Sequence, residues 1–255
     1  RRLGRPPPMT AFPIQPRPRI VPGDERHTLL RRVLRIATGR ERHVARLVLI
    51  DEPQHYVAFL DSADGASAVA GRDTALHLLW ARDEANAAIT VQGHGRLPIA
   101  PGDTLTLAAG TRWAASPGLL LAEVGGPRGM PTAPGRFIGP THGIERYHGH
   151  NRQTLCAIAP GFSLERWKLT QPLTVAGDAL VVNLIDPMAM AWHGGTDLLR
   201  RGELRVLPPE MARVSLLPDG LAYALVIRSR PPIEILSEDL APISLVPMKG
   251  WRGDR

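Results

Sequence analysis

The sequence predicts an all-β protein built from two tandem copies of one small domain, and three observations carry that reading. Residues 102–124 (GDTLTLAAGTRWAASPGLLLAEV) and 202–226 (GELRVLPPEMARVSLLPDGLAYALV) follow one plan. Each begins with Gly and an acid, Gly102-Asp103 or Gly202-Glu203, alternates apolar positions up to a glycine turn at Gly118 or Gly220, and closes on an almost purely apolar run. A spacing of about a hundred residues is too long for a solenoid unit and marks a duplicated domain. Gly and Pro number 25 each, a density of breakers that suits many short strands and argues against a helical bundle. Aromatic residues are only 5% of the chain, so the core must rest on Leu, Val, Ile and Ala packed between short strands.

The elements follow in order. Residues 1–22 are Pro-rich and read as an extended arm; Met9 is the expected start, with 1–8 upstream of the fold. Over 24–39, Asp24 suits an N-cap, Leu30, Val33, Leu34 and Ala37 share a side, and Gly39 suits a stop, so a short helix is expected, with a strand as the alternative. Strands are expected at 43–51 and 54–60, a loop at 61–72, then strands at 76–80, 87–92, 97–99, 104–107, 112–113 and 119–124. These make a first domain over 23–124. Residues 125–152 read as a linker, densest in Gly and Pro up to 141. A second domain over 153–255 holds strands at 154–158, 162–169, 180–184, 188–192, 203–207, 213–216 and 221–227, then a Pro-rich tail with an apolar stretch at 233–236.

Bulk properties narrow the function classes. The single cysteine, Cys156, excludes an internal disulfide, reads as a small packed residue, and fits a reducing, cytoplasmic compartment. No apolar run reaches the roughly 18 residues of a membrane span, and the basic N-terminus lacks the apolar core of a signal peptide. The net charge of +7 is almost all arginine, with lysine only at 168 and 249. The densest cluster, Arg31, Arg32, Arg35, Arg40, Arg42 and Arg46, reads as a solvated face. Arginine's planar fork also suits phosphate or carboxylate, which keeps small anionic ligands in view. The P-loop, dinucleotide-glycine, HExxH and paired CxxC motifs do not occur.

The order strand, PGD turn, strand, AGT turn in residues 92–113 (QGHGRLPIAPGDTLTLAAGTRW) resembles the cupin motif, and two such halves resemble a bicupin. Residues 151–173 (NRQTLCAIAPGFSLERWKLTQPL) and 194–210 (GGTDLLRRGELRVLPPE) resemble the C-terminal cupin of type I mannose-6-phosphate isomerases, and 118–124 (GLLLAEV) resembles the strand closing that family's catalytic cupin. The resemblance covers residues 75–228. It implies two tandem cupin-like double-stranded β-helix (jelly-roll) barrels with few short helices, a divalent metal such as zinc, a sugar-phosphate ligand and a homodimer. It also implies a histidine one residue after Ala109-Gly110-Thr111-Arg112, where this chain carries Trp113. Gln92-Gly93-His94 has the family's Q-x-H spacing but falls in a hairpin turn.

Metal chemistry of this kind needs three or four fixed N/O ligands. The first half offers His77, His94 and Glu84; His77 reads as a hydrogen-bonded strand residue and His94 as an exposed turn residue. The densest set is His142, Glu145, His148 and His150 in THGIERYHGHN, where His148 and His150 at i, i+2 would share a strand face. Glu165 or His193 could complete it; the alternative is a polar linker bonded to both barrels. Tyr147, Asn151, Arg152 and Gln153 suit sugar hydroxyls or a phosphate, or else an interdomain latch. Trp192 and His193 at a strand end suit a sugar ring, although a half-buried Trp is the commoner case. Three functions follow: a sugar- or sugar-phosphate-binding bicupin with an eroded metal site; a metal-dependent aldose–ketose isomerase with relocated ligands; and an Arg-rich nucleic-acid-associated β protein, the least supported because its charge is not gathered in a patch.

Overall fold

A computed structural model describes residues 19–20, 46–63, 65–130, 137–211 and 213–229. The expected helix or strand at 24–39, Arg31 to Arg42 of the arginine cluster and the 233–236 run lie outside these residues. β1 (Arg19–Ile20) comes from the arm. The first barrel holds β2 (Arg46–Asp51), β3 (Tyr56–Asp61), β4 (Ala66–Val69), β5 (Thr74–Ala81), β6 (Ala88–Val91), β7 (Gly95–Pro98), β8 (Thr104–Leu107), β9 (Arg112–Ala115), β10 (Leu119–Gly125) and β11 (Phe137–Thr141). The second holds β12 (Ile144–His148), β13 (Asn151–Ala159), β14 (Phe162–Leu169), β15 (Leu173–Val175), β16 (Ala179–Asn183), β17 (Met188–Trp192), β18 (Gly195–Leu199), β19 (Leu204–Leu207), β20 (Val214–Pro218) and β21 (Ala222–Arg228). A 3-10 turn at Glu84–Asn86, capped by the Asp83 carboxylate, is the one helical element among the described residues, and none is long and apolar enough to cross a membrane.

The halves repeat strand for strand. One barrel pairs the sheet β11-β8-β5-β10-β3-β2 with β4-β9-β6-β7; the other pairs β1-β19-β16-β21-β14-β13-β12 with β15-β20-β17-β18. Mapping β3–β10 onto β14–β21 turns one order into the other. The repeated Gly-acid pairs make the same turn. Gly102 and Gly202 both take positive φ, at 97° and 75°, which a side chain would resist. Gly102 N–H donates to Leu78 O and Gly202 N–H to Asn183 O, each at 2.7 Å. The acids close the turns, Asp103 Oδ2 accepting from Ala100 N–H at 2.8 Å and Glu203 Oε2 from Arg200 N–H at 2.9 Å.

Several expected boundaries shift. Residues 61–72, expected as a loop, contain β4, and the 125–152 linker contains β11 and β12. β15 and β18 were not expected as strands at all. β4, β11, β12, β15 and β18 all lie at sheet edges, where one flank is unpaired and the alternation of apolar residues is weak. Pro140 interrupts the β11 ladder between Ile138 and Thr141, as an edge strand tolerates. The arm is not merely extended, since β1 pairs antiparallel with β19 of the second barrel.

Three cores result. Inside the first barrel pack Leu76, Leu78, Ile89, Leu105, Trp113 and Leu121. Inside the second pack Trp167, Val181, Met188, Met190, Leu216 and Val226. A third core joins the outer faces of the two large sheets, where Phe59, Leu120 and Val124 of one barrel meet Phe162, Leu164, Leu180 and Ile227 of the other.

Candidate functional site

The middle of each barrel lumen, where the resemblance puts a metal, is lined by hydrocarbon. Trp113, standing where a ligating histidine was expected, is buried among Leu, Ile and Val, and its indole N–H meets no acceptor. His77 lies on β5 between Leu76 and Leu78 and so faces away from the lumen; its Nδ1 pairs with Thr104 Oγ1 at 2.8 Å. His94 is in a turn and stacks on Phe137. This side-chain set does not fit a divalent cation.

The expected histidine cluster is dispersed. His142 pairs through Nδ1 with Asp103 Oδ1 of the first barrel at 2.5 Å. Glu145 and Tyr147 on β12 join Arg152 on β13 in an exposed set, Tyr147 O–H donating to Glu145 at 2.7 Å and Arg152 Nη1 lying 3.1 Å from the same carboxylate. His148 is exposed at the end of β12, opposite Asn151, and His150 is exposed in the turn joining β12 and β13. No group of three or more His, Cys, Asp or Glu suited to a metal ion occurs among the described residues. Asn151 is buried and accepts from the Thr170 and Gln171 N–H groups, which makes it a turn brace. Gln153 is half-buried on β13. Trp192 ends β17, its indole N–H without an acceptor, and His193 is exposed in the turn beyond it. Glu165 accepts from Trp167 Nε1 at 2.8 Å and Arg228 Nε at 3.0 Å, a set that closes one end of the second barrel.

The corresponding end of the first barrel is open. There a cavity of about 350 Å³ is lined by Arg46, Asp51, Tyr56, Arg72, Glu123 and Arg128 together with Val69, Gly71 and Thr74. Its floor is the lumen face of the large sheet. Glu123 shares that face with Leu119 and Leu121 on β10, and Thr74 shares it with Leu76 and Leu78 on β5. Glu123 is thus a carboxylate at the end of an apolar barrel, its side chain 7% exposed. Arg46 Nη2 lies 2.9 Å from Glu123 Oε2, yet that oxygen has no directed hydrogen bond, so the contact is an ion pair without a fork. Burial raises the Glu123 carboxyl above its usual range, against the opposing pull of Arg46, the Tyr56 hydroxyl and Arg72. Burial and the Glu123 charge push Tyr56 up to about 12, which keeps its hydroxyl a donor at neutral pH.

Arg72 is fixed in place. Its side chain, 6% exposed, donates through Nη1 to Glu52 O at 3.0 Å and Gly126 O at 3.2 Å, and through Nη2 to Asp51 Oδ1 at 2.7 Å. The guanidinium also lies over the Tyr56 ring at 5.3 Å. Arg128 Nη2 reaches the same Asp51 oxygen at 2.6 Å and is 58% exposed at the rim. Arg46, 36% exposed, and Arg128 are therefore the cavity's two cations with enough solvent exposure to exchange their carboxylate partners for a guest. Sequence reasoning missed this site because its parts lie on β2, β3, β10 and the loops after β4 and β10. The available signal was Glu123, an isolated acid in GLLLAEV.

No family model matches the sequence, and no curated protein matches it. Solved structures do. A cupin 2 conserved barrel domain protein from Leptotrichia buccalis matches with a TM-score of 0.50 at 18% identity, over 78% of this chain and 94% of that one. The chain folds as a bicupin. The mannose 6-phosphate isomerase from Bacillus subtilis is similar over 69% of this chain and 75% of its own length, with a TM-score of 0.54 and 15% identity. A salicylate 1,2-dioxygenase from Pseudaminobacter salicylatoxidans is similar over 91% and 90%, with a TM-score of 0.56 and 12% identity.

Proposed function

We propose that this bicupin binds a small organic anion, a sugar phosphate first among candidates, at the open mouth of its first barrel, without metal-dependent turnover. The observation that carries the reading is the cavity itself, where two adjustable arginines, Arg46 and Arg128, surround a buried Glu123 and a Tyr56 donor. Arginine forks match the paired oxygens of phosphate and carboxylate, and a barrel mouth shelters them from water. The names of two structural neighbours concern small anions of these classes, mannose 6-phosphate and salicylate, the latter protein also solved with gentisate. Tyr56 supplies a hydroxyl for the neutral part of such a ligand.

A relocated-metal isomerase has less support, because His142 turns to Asp103 while His148 and His150 stand in solvent. Nucleic-acid binding also has less support, because Arg46, Arg72, Arg128, Arg152, Arg205 and Arg228 each sit within ion-pair distance of a carboxylate. The homodimer and the cytoplasmic setting expected from the sequence remain part of this proposal. Calorimetric titration with mannose 6-phosphate, inorganic phosphate and gentisate tests it. Binding of at least one anion is expected, weakened about tenfold or more in R46A and R128A, each substitution removing one charge-assisted contact. Absence of binding, or binding that ignores both substitutions, would refute the site.

A further inference from the structure

We propose that an anion entering the first-barrel cavity takes Arg46 from Glu123, and that Glu123 accepts a proton from solvent in the same event. This rests on the proposed anion site and concerns how that site is regulated. Of the cavity's arginines, Arg72 is held by two carbonyls and Asp51, and Arg128 is tethered to Asp51. Arg46 has the looser tie, an ion pair to Glu123 without hydrogen-bond alignment, and it is exposed enough to swing outward. A guest phosphate or carboxylate offers Arg46 the bidentate geometry that Glu123 does not.

Removing Arg46 strands the carboxylate. The groups facing Glu123 are Arg46 from β2, Tyr56 from β3 and Arg72 from the segment before β5. Asp51 and Arg128 line the same wall. Arg72 already spends three of its five N–H donors on Glu52 O, Gly126 O and Asp51, which holds it in place, and an incoming anion adds a second negative charge beside the first. A buried carboxylate in that position neutralises rather than stays charged. The balance is simple: one proton moves from water or buffer to the Glu123 carboxylate, forming an O–H bond, while Arg46 keeps its charge and pairs with the guest. Burial has already moved Glu123 in the required direction before any guest arrives. Affinity therefore rises as pH falls, by at most about tenfold per pH unit for one proton.

Inorganic sulfate is the first probe, because it stays fully ionised near neutral pH and contributes no proton change of its own. Calorimetry of the full chain in buffers of different ionisation enthalpy reads proton uptake directly, in parallel with mannose 6-phosphate. Wild-type protein is expected to take up a fraction of a proton and to bind several-fold more tightly at about pH 6 than at about pH 8. E123Q is expected to bind with no proton uptake and no pH dependence in that range. R46Q, an exposed change less demanding on the fold, is expected to bind more weakly and without proton uptake, because it has no Arg46–Glu123 pair for the anion to break. Wild-type binding without proton uptake, or uptake that persists in R46Q, overturns the coupling and leaves the anion site standing. Failure of both anions to bind overturns the site and the coupling together.

Discussion

His77 shows how strongly one buried group can tie this fold to pH. It sits fully buried between the barrels, its Nδ1 bonded to Thr104 and its Nε2 without a partner. Burial, helped by the Arg166 cation, lowers its pKa from 6.5 to about 3. The unfolded chain takes up this proton below about pH 6.5 while the folded imidazole refuses it, so stability falls as pH drops through that window, by about 1.4 kcal/mol per unit. H77Q should flatten that slope between pH 6.5 and about pH 4, read as urea midpoints, whatever it costs at neutral pH. Cys156 is inert by the same physics, burial pushing its thiol up to about 11. Both residues were legible as ordinary packed groups in their strands. Glu123, Arg46 and Tyr56 were not legible as a set, because each is a single polar interruption and nothing local says that residues 46, 56 and 123 meet.

Among elements, the duplicated turn was readable because Gly plus an acid at a fixed place before a strand is a local instruction, and Gly102 and Gly202 carry it out with matching hydrogen bonds. Central strands were readable too, β8 and β14 from apolar runs in sheets buried on both faces and β17 from Met188 and Met190 alternating into the second barrel. The edge strands were not, since an edge such as β4 (Ala66–Val69) buries little and its sequence of small residues reads as loop. Glycine at the end of β10 has a different role. A Cβ on Gly125 would lie 2.5 Å from Arg72 Cδ and 3.2 Å from Tyr56 Cβ. G125A should therefore displace Arg72 from its two carbonyls, at a cost of about 1–3 kcal/mol, and weaken anion binding with it. Thermal denaturation and the phosphate titration together check this; an unchanged melting point would mean Arg72 has another resting place.

Across the whole molecule, the third core makes the two barrels one folding unit. Phe59 of β3 and Phe162 of β14 are completely buried on opposite sides of the same seam, and β1 crosses from the arm to complete the second barrel's large sheet. F59A should lower stability by about 3–5 kcal/mol and leave a single unfolding transition, because the cavity it opens borders both barrels. Separate transitions for the halves would show the seam to be weaker than its burial implies. The asymmetry of the ends then gives the duplication its purpose, with Glu165, Trp167 and Arg228 closing one barrel while Arg46, Glu123 and Arg128 hold the other open. A crystal structure of the full chain soaked with mannose 6-phosphate tests this most directly. The phosphate is expected between the guanidinium groups of Arg46 and Arg128, with Arg46 turned away from Glu123. Phosphate seated instead at the His148–His150 turn or at the Glu165 end of the second barrel, with the first-barrel mouth unchanged, would contradict it.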